Sequence, residues 1–156
     1  GNDYGLIQLN SVGNDVAFLG GDGDDGFILW GAPIGGDLLI RTGDGDDIVA
    51  GGLGDDFLKG GRGDDRLFAN YGNDVMTGGS GRDHFVFLPF LFDQGDAVIT
   101  DFQVGKDKLE FEHDHAGERV AYQDIDDGVV VFWGKMAVLL LDVYQSDLSS
   151  SDIIYV

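Results

Sequence analysis

The sequence predicts an all-β fold in which the chain coils through successive turns of short strands. Composition is the first observation that supports it, since glycine accounts for 27 of the 156 residues, about 17% against a typical share of about 7%. Of the 29 acidic residues, only Glu110, Glu112 and Glu118 are glutamates. Because glycine forms helices poorly and aspartate prefers caps and turns, this composition excludes a helical bundle. The hydrophobic share of 43% is too high for a disordered chain.

The charge balance narrows the classes of partner. A formal net charge of −20 argues against nucleic acid and anionic membrane surfaces. Cysteine is absent, which excludes disulfides and thiolate metal sites, and no apolar run is long enough for a membrane span. The chain opens within a repeat unit, at Gly1-Asn2-Asp3, so we expect it to be part of a longer protein.

A nine-residue repeat is the second observation. Five consecutive nonapeptides run from Thr42 to Val86, namely TGDGDDIVA, GGLGDDFLK, GGRGDDRLF, ANYGNDVMT and GGSGRDHFV. In each, the fourth residue is Gly, the sixth is Asp and the eighth is apolar. Six glycine-rich residues make a tight turn, and three residues then form a short strand whose middle side chain points inward. The eighth-position residues should therefore form a thin core, made of Val49, Leu58, Leu67, Met76 and Phe85.

A longer version of the repeat precedes these five. Gly-x-Asp followed by an apolar residue recurs at Asp15 with Ala17, Asp25 with Phe27, and Asp37 with Leu39. Alternate aspartates are first 22 and then 18 residues apart, which predicts a coil with two half-turns per revolution and extra residues around positions 30–33. The loops would then stack in two ladders, Asp3, Asp25, Asp47, Asp65, Asp83 on one side and Asp15, Asp37, Asp56, Asp74 on the other.

Such ladders need a bound cation. Carboxylates about 5 Å apart repel by roughly 3 kcal/mol per neighbour at an effective dielectric of about 20. Calcium takes about 6–8 hard oxygen ligands in a flexible shell, and carboxylates and loop carbonyls supply such oxygens. Magnesium prefers a smaller octahedral shell, and soft metals prefer sulfur or imidazole. The repeat therefore predicts several bound calcium ions.

The pattern GGxGxDxUx resembles the RTX (hemolysin-type) calcium-binding nonapeptide-repeat family. The resemblance implies a right-handed parallel β-roll over residues 1–86, with each ion held between alternate loops by the sixth-position Asp and by backbone carbonyls. The best sites would pair loop 42–47 with 60–65, 51–56 with 69–74, and 60–65 with 78–83, followed by 20–25 with 42–47. The metal-binding residues implied are Gly20, Gly21, Asp22, Gly23, Asp24, Asp25, Thr42, Gly43, Asp44, Gly45, Asp46, Asp47, Gly51, Gly52, Leu53, Gly54, Asp55, Asp56, Gly60, Gly61, Arg62, Gly63, Asp64, Asp65, Ala69, Asn70, Gly72, Asp74, Gly78, Gly79, Gly81 and Asp83.

Residues 87–156 hold few glycines and predict a β-rich cap for the coil. Branched and aromatic residues indicate strands at 97–102, 108–112, 129–133 and 137–143. The stretch VITDFQVGKDKLEF resembles the segment after the β-roll in serralysin-type and other type I-secreted proteins. The ending SDIIYV, residues 151–156, resembles their terminal export signal, although a terminal edge strand of the cap would explain it equally.

Other sites have less support in the sequence. No HExxH or GxSxG motif is present, which favours a non-catalytic module. His113 and His115 have a spacing that could hold zinc, without an evident third ligand. Arg41 and Lys59 are ninth-position residues expected to stack, with Arg62 and Arg66 nearby. A basic face of this kind resembles the alginate-binding β-roll modules of mannuronan epimerases.

The sequence thus predicts a calcium-binding RTX module, the C-terminal part of a larger secreted bacterial protein. It would fold on calcium binding after type I secretion and stabilise an upstream domain. Its expected partners are calcium ions, the type I secretion machinery and that domain. A polysaccharide-binding module is the alternative.

Overall fold

The computed structural model describes residues 1–5, 16–28, 35–88, 95–111 and 120–156. The strands in chain order are β1 (Tyr4–Gly5), β2 (Val16–Asp22), β3 (Gly26–Phe27), β4 (Leu38–Asp44), β5 (Ile48–Ala50), β6 (Phe57–Arg62), β7 (Arg66–Phe68), β8 (Asp74–Ser80), β9 (His84–Phe87), β10 (Ala97–Ile99), β11 (Lys108–Phe111), β12 (Ala121–Ile125), β13 (Gly128–Trp133), β14 (Met136–Leu141) and β15 (Ile153–Tyr155). Throughout these ranges, no helix has the length and apolar character needed to cross a membrane.

Successive strands alternate between two sheets. One sheet has the order β1-β3-β5-β7-β9-β11-β15, and the other β12-β13-β14-β10-β8-β6-β4-β2. All pairs from β1 to β11 are parallel, as are the pairs of β10 with β14 and of β11 with β15. Each revolution of the coil therefore adds one strand to each sheet. This arrangement confirms the all-β, two-sided parallel coil that the spacing of the aspartates predicts.

The core is the narrow space between the two sheets. In β5, β6 and β7, the eighth-position side chain is buried and the two flanking side chains are at least partly exposed, whereas in β9 Val86 is buried beside Phe85. Val49, Leu67 and Phe85 lie in register on one sheet, with Leu58 and Met76 in register on the other. All five are buried, as predicted. One apolar side chain per half-turn is thus enough to fill the interior.

The second ladder is shifted by one residue from the prediction at its N-terminal end. Leu39 pairs with Phe57 and Ile40 with Leu58, so the inward residue of this coil is Ile40, which is fully buried, whereas Leu39 is exposed. Leu38 consequently holds the sixth position, and Asp37 holds the fifth. The shift arises because one revolution here takes 18 residues. Asp37 lies 18 residues before Asp55 but 19 before Asp56, so it stacks on the fifth-position Asp55. Asp15 lies outside the described residues.

Beyond residue 87 the two sheets continue. The strands predicted there correspond to β10, β11, β13 and β14, while β12 is an additional strand. β12, β13 and β14 form an antiparallel meander that joins the sheet through β10. The aromatic rings of Phe87, Phe111 and Trp133 pack in sequence at this end. The division of the chain at residue 86 into roll and cap stays a prediction. The possible zinc pair also stays a prediction, because residues 113 and 115 lie outside the described ranges.

Candidate calcium-binding loops

The sixth-position aspartates of the first face form a continuous ladder of buried carboxylates. In each step, the backbone N–H of one Asp donates to Oδ1 of the Asp one coil further on. The N···O distances are 2.6 Å for Asp3 to Asp25, 2.7 Å for Asp25 to Asp47, 2.9 Å for Asp47 to Asp65 and 3.0 Å for Asp65 to Asp83. The structure therefore stacks loops 1–3, 20–25, 42–47, 60–65 and 78–83 in the predicted order.

The second face carries a shorter ladder. The N–H of Asp56 donates to Asp74 Oδ1 at 2.9 Å, and the N–H of Leu38 donates to Asp56 Oδ1 at 2.8 Å. Ala97 pairs with Asp74 in the next coil, so the sixth position there has no carboxylate. Loop 51–56 thus stacks on 69–74 as predicted, but this ladder ends after two aspartates within the described coils.

Four carboxylates of the first ladder each have one oxygen without a hydrogen-bond donor in the part of the chain that the structure describes. Oδ2 of Asp25, Asp47, Asp65 and Asp83 is buried without a hydrogen-bond donor among the described residues, and so is Oδ2 of Asp74. At Asp56, by contrast, Oδ2 accepts from the Gly52 N–H at 2.5 Å. An unpaired buried carboxylate oxygen is costly. These oxygens therefore mark where a cation fits.

Glycine at the first and fourth loop positions leaves room around these oxygens. A Cβ added at Gly60 would collide with Asp65 Oδ2, and one at Gly63 would collide with the Gly45 carbonyl oxygen of the preceding loop. Gly63 also has a φ of 123°, which L side chains rarely adopt. The glycines thus let carbonyl and carboxylate oxygens crowd together between consecutive loops.

Burial raises the pKa values of the ladder carboxylates. The pKa of Asp65 rises from 3.8 to about 7, mainly because burial removes the carboxylate from water, with added repulsion from Asp47 and Asp83. The same cause raises the pKa of Asp74 to about 8 and that of Asp56 to about 6, and that of Asp83 to about 6. Without a cation, these groups therefore hold protons at pH values where free aspartate is ionised.

The oxygens present fit calcium. Carboxylate and carbonyl oxygens lie together in the loops, since a Cβ added at Gly20 would meet both Asp25 Oδ2 and the Thr42 carbonyl oxygen, and calcium prefers such hard oxygen ligands. The described residues contain no cluster of three or more His, Cys, Asp or Glu side chains suited to a metal. That agrees with a site in which each loop supplies one carboxylate and the backbone supplies the other oxygens. Ligation by the predicted loop residues stays a prediction.

The fifth-position side chains form a separate, exposed ladder with the opposite hydrogen-bond direction. Asp64 Oδ1 accepts from the backbone N–H of Arg82 in the next coil at 2.9 Å, and Asp46 Oδ1 accepts from that of Asp64 at 2.7 Å. Asp64 Oδ2 also accepts from Nε and Nη2 of Arg82, at 3.1 and 2.7 Å. These bonds lower the pKa of Asp64. The Asp64 side chain is therefore exposed but hydrogen-bonded to Arg82.

One further member of the first ladder lacks the repeat pattern. The backbone N–H of Asp83 donates to Asp107 Oδ1 at 3.1 Å, and Asp107 is fully buried. Its segment, DFQVGKD from Asp101, has seven residues and only one glycine, which hides it from a search for GGxGxD. The sequence pattern that could have identified Asp107 is an Asp two residues before an apolar residue, here Leu109, as Asp65 stands two residues before Leu67.

The predicted basic face divides into separate parts. Arg41 and Lys59 pair in register on neighbouring strands, with exposed side chains. Arg62 is the last residue of β6, where it pairs with Asp44 of β4 and its Nη1 is 3.0 Å from Asp44 Oδ2. Arg66 lies on the other sheet, where its Nη2 is 2.9 Å from Glu110 Oε1. Arg62 and Arg66 therefore do not extend the face, because each is neutralised by a carboxylate elsewhere.

Glu110 forms a small charged cluster with outer residues of two other strands of the same sheet, β7 and β9. Its Oε2 lies 2.8 Å from His84 Nδ1 and its Oε1 bonds Arg66, while Glu110 itself is 6% exposed. The sequence gives no signal for this cluster, since Arg66 and Glu110 are 44 residues apart. His84, the seventh residue of the nonapeptide GGSGRDHFV, is one of its members.

The parallel coil of the described strands, with its buried aspartate ladder, is a β-roll. Residues 39–58 and 51–85 match the family model for the RTX calcium-binding nonapeptide repeat (4 copies). This part of the chain, residues 39–85, therefore belongs to the RTX repeat family.

Two solved structures are similar to the chain. The extracellular lipase LipA from Serratia marcescens is 16% identical, with a TM-score of 0.51, over 90% of this chain and 38% of the lipase chain. The AlgE6R3 subunit from the Azotobacter vinelandii mannuronan C5-epimerase is 23% identical, with a TM-score of 0.44, over 85% of this chain and 78% of that subunit. The likeness to the lipase shows the fold, and the chain spans 38% of that protein's length. A search of curated proteins returned no match.

Substitution of the neighbours Asp65 and Asp64 tests the register of the loops. Asp65→Ala removes a buried carboxylate of the first ladder, so we expect a loss of about 3 kcal/mol in folding free energy at saturating calcium. Asp64→Ala removes an ion pair with Arg82 and a hydrogen bond from the Arg82 backbone N–H, both at the exposed surface, and changes at exposed positions usually cost little. The measurement is the calcium midpoint of folding for both variants, titrated side by side. Equal midpoints would show that general acidity, not the sixth position, binds the metal.

Proposed function

We propose that this chain is a calcium-dependent folding module without catalytic activity, placed within a larger secreted protein. The observation that carries the proposal is the row of buried Oδ2 atoms without donors at Asp25, Asp47, Asp65 and Asp83. When bound, calcium supplies the positive charge that this row lacks. Because binding is then required for the coil to stack, its free energy becomes folding free energy.

The residues that would hold the ions are the ladder aspartates and their loop carbonyls. On the first face, loops 20–25, 42–47, 60–65 and 78–83 would hold ions in the spaces between them, and loops 51–56 and 69–74 would hold one on the second face. Thr42, at the first position of its loop, is fully buried and its hydroxyl donates to the Gly60 carbonyl oxygen at 3.3 Å. A non-glycine first position is therefore accommodated in this stack.

Removing calcium should unfold the coil in a pH-dependent way. Folded-state pKa values of about 6 to 8, against 3.8 for the free group, favour the protonated fold. Without calcium, this stabilisation is complete below about pH 4 and is lost as pH rises through about 6 to 8. Far-ultraviolet circular dichroism with chelator should show coil at about pH 8 and partial β structure at about pH 5.

Adding calcium should restore the β spectrum, with a midpoint concentration that falls as pH rises from about 6 to about 8, because protons compete for the same carboxylates. Magnesium at the same concentration is the control, since it prefers a smaller octahedral shell. A full β spectrum in chelator at about pH 8 would contradict the proposal.

We also propose that the C-terminal residues act in export through a type I system. The segment 151–156 resembles the terminal signal of such proteins, and the family match supports a secreted protein. In the fold, Ile153–Tyr155 forms the edge strand β15 beside β11, and Asp152 is fully buried, accepting from the Ser149 and Gly105 N–H groups. Deletion of Ile153–Val156 would therefore remove a strand as well as a signal.

A single substitution separates these two roles. Val156 is 57% exposed, so Val156→Asp should reduce export from a type I secretion host while leaving the calcium midpoint of folding unchanged. The matched control is Ile125→Asp, at another exposed position, which is 37% exposed on β12. Unchanged export of the Val156 variant, or an equal loss in both variants, would refute the role of the tail.

An acidic polysaccharide is the second candidate partner, and the pairing of Arg41 with Lys59 favours it. Their side chains lie on the exposed face of β4 and β6 beside Phe57, which is 56% exposed. Lys59→Gln should weaken binding to short alginate oligosaccharides that do not gel with calcium, whereas Lys135→Gln, an equal charge loss on a remote turn, should not. Absence of binding by the wild type would exclude this partner.

A further inference from the structure

On the first face of the coil, the last space between two successive loops differs from the spaces, or intervals, before it. This terminal interval lies between loop 78–83 and the segment Asp101–Asp107, which follows β10 and leads into β11. Its backbone geometry continues the stack, because the Lys108 N–H donates to the Asp83 carbonyl at 2.8 Å, as the His84 N–H does to that of Asp65 at 2.8 Å. A ladder aspartate, Asp107, is present as well. Position alone would therefore make this interval a further calcium site.

The carboxylate of Asp107, however, has no oxygen to spare. Oδ1 accepts from the Asp83 N–H at 3.1 Å, as in every other step of the ladder. Oδ2 accepts from the Gln103 backbone N–H at 2.7 Å. The corresponding Oδ2 atoms of Asp25, Asp47, Asp65 and Asp83 have no donor among the described residues. At Asp107, as at Asp56 on the second face, a backbone N–H thus satisfies the oxygen that is left without a donor at these four aspartates of the first ladder.

Backbone groups of loop 78–83 at the terminal interval are also hydrogen-bonded to protein side chains. The side-chain Nε2 of Gln103 donates to the Gly79 carbonyl oxygen at 2.6 Å. The carboxylate of Asp101 accepts from the N–H groups of Gly78 and Gly79, both at 2.9 Å. An amide N–H thus lies against the carbonyl of a second-position glycine.

Positive charge is supplied at the same place. Burial and repulsion from Asp101 raise the pKa of Asp107, and the neighbouring charge of Lys106, whose ammonium lies 3.0 Å from Gln103 Oε1, partly offsets that rise. Together, the Lys106 ammonium, the Gln103 amide and the hydrogen-bonded Asp107 carboxylate would take the place that a bound ion has between the other loops. None of the glycine-loop intervals before it combines an amide on the second-position carbonyl with a lysine.

We propose that Gln103 and Lys106 end the calcium stack by taking the place of its last ion, so that the terminal interval binds no calcium. The inference rests on the proposed function, in which the earlier intervals do bind calcium. It assigns a role to the residues that differ from the repeat in DFQVGKD: they let the coil continue into β11 without a further ion.

The experiment counts ions by native mass spectrometry of the calcium-saturated, folded chain. The double variant Gln103→Glu, Lys106→Gln replaces the donor and the cation by a carboxylate, so it should bind one calcium ion more than the wild type. Gln123→Glu is the matched control, because it makes the same glutamine change at an exposed position of β12 far from the loops. Its count should equal that of the wild type.

A folded double variant with the wild-type count overturns the proposal. If the double variant does not fold, Asp107→Asn decides, because Asp107 should ligate no ion: its folded form should keep the wild-type count, and loss of an ion would overturn the proposal. Asp65→Asn should lose at least one ion in the same assay and serves as the positive control. A wild type that binds no calcium would instead refute the proposed function, so the two failures are distinguishable.

Discussion

The structure depends on carboxylates that are buried in line, one strand spacing apart. Each ladder aspartate is held by the backbone N–H of the coil before it, which fixes its position and prevents its escape to water. Burial and mutual repulsion then raise the pKa values of Asp65 and Asp74 towards and above neutrality. The chain combines glycine-rich turns and a core of one side chain per half-turn with a net charge of −20. Such a chain can fold only if cations or protons neutralise the row of buried carboxylates.

The two faces of the coil differ in the residues that occupy the sixth position of successive loops. On the first face, the sixth position is aspartate from Asp3 through Asp107, so repulsion must be offset at each interval. On the second face, Leu38 and Ala97 replace it on either side of Asp56 and Asp74, and both are buried apolar residues. Ordinary hydrophobic contact holds those steps, which limits the second stack to a short central segment. Calcium dependence should therefore be stronger along the first face.

Towards the C-terminus, side chains replace loops as the means of stacking. Asp107 and Asp152 are fully buried, like the earlier ladder aspartates, yet hydrogen bonds from Gln103, Gly105 and Ser149 satisfy their carboxylates. The aromatic contacts of Phe87, Phe111 and Trp133 add apolar surface that the glycine loops lack. The same parallel geometry thus passes from an ion-dependent to a side-chain-dependent construction.

The sequence alone determined the periodic part of this protein. Turn residues at fixed offsets and one apolar residue per nonapeptide predict the two-sided coil and the stacking of the sixth-position aspartates, because these follow from local backbone geometry. The tertiary structure decided what depends on residues far apart in the chain. The register of Asp37 with Asp55, the cluster of Glu110 with Arg66 and His84, and the contact of Gln103 with Gly79 join segments 18 to 44 residues apart. Spacing cannot reveal such contacts, because a single inserted or missing residue changes which side chains meet.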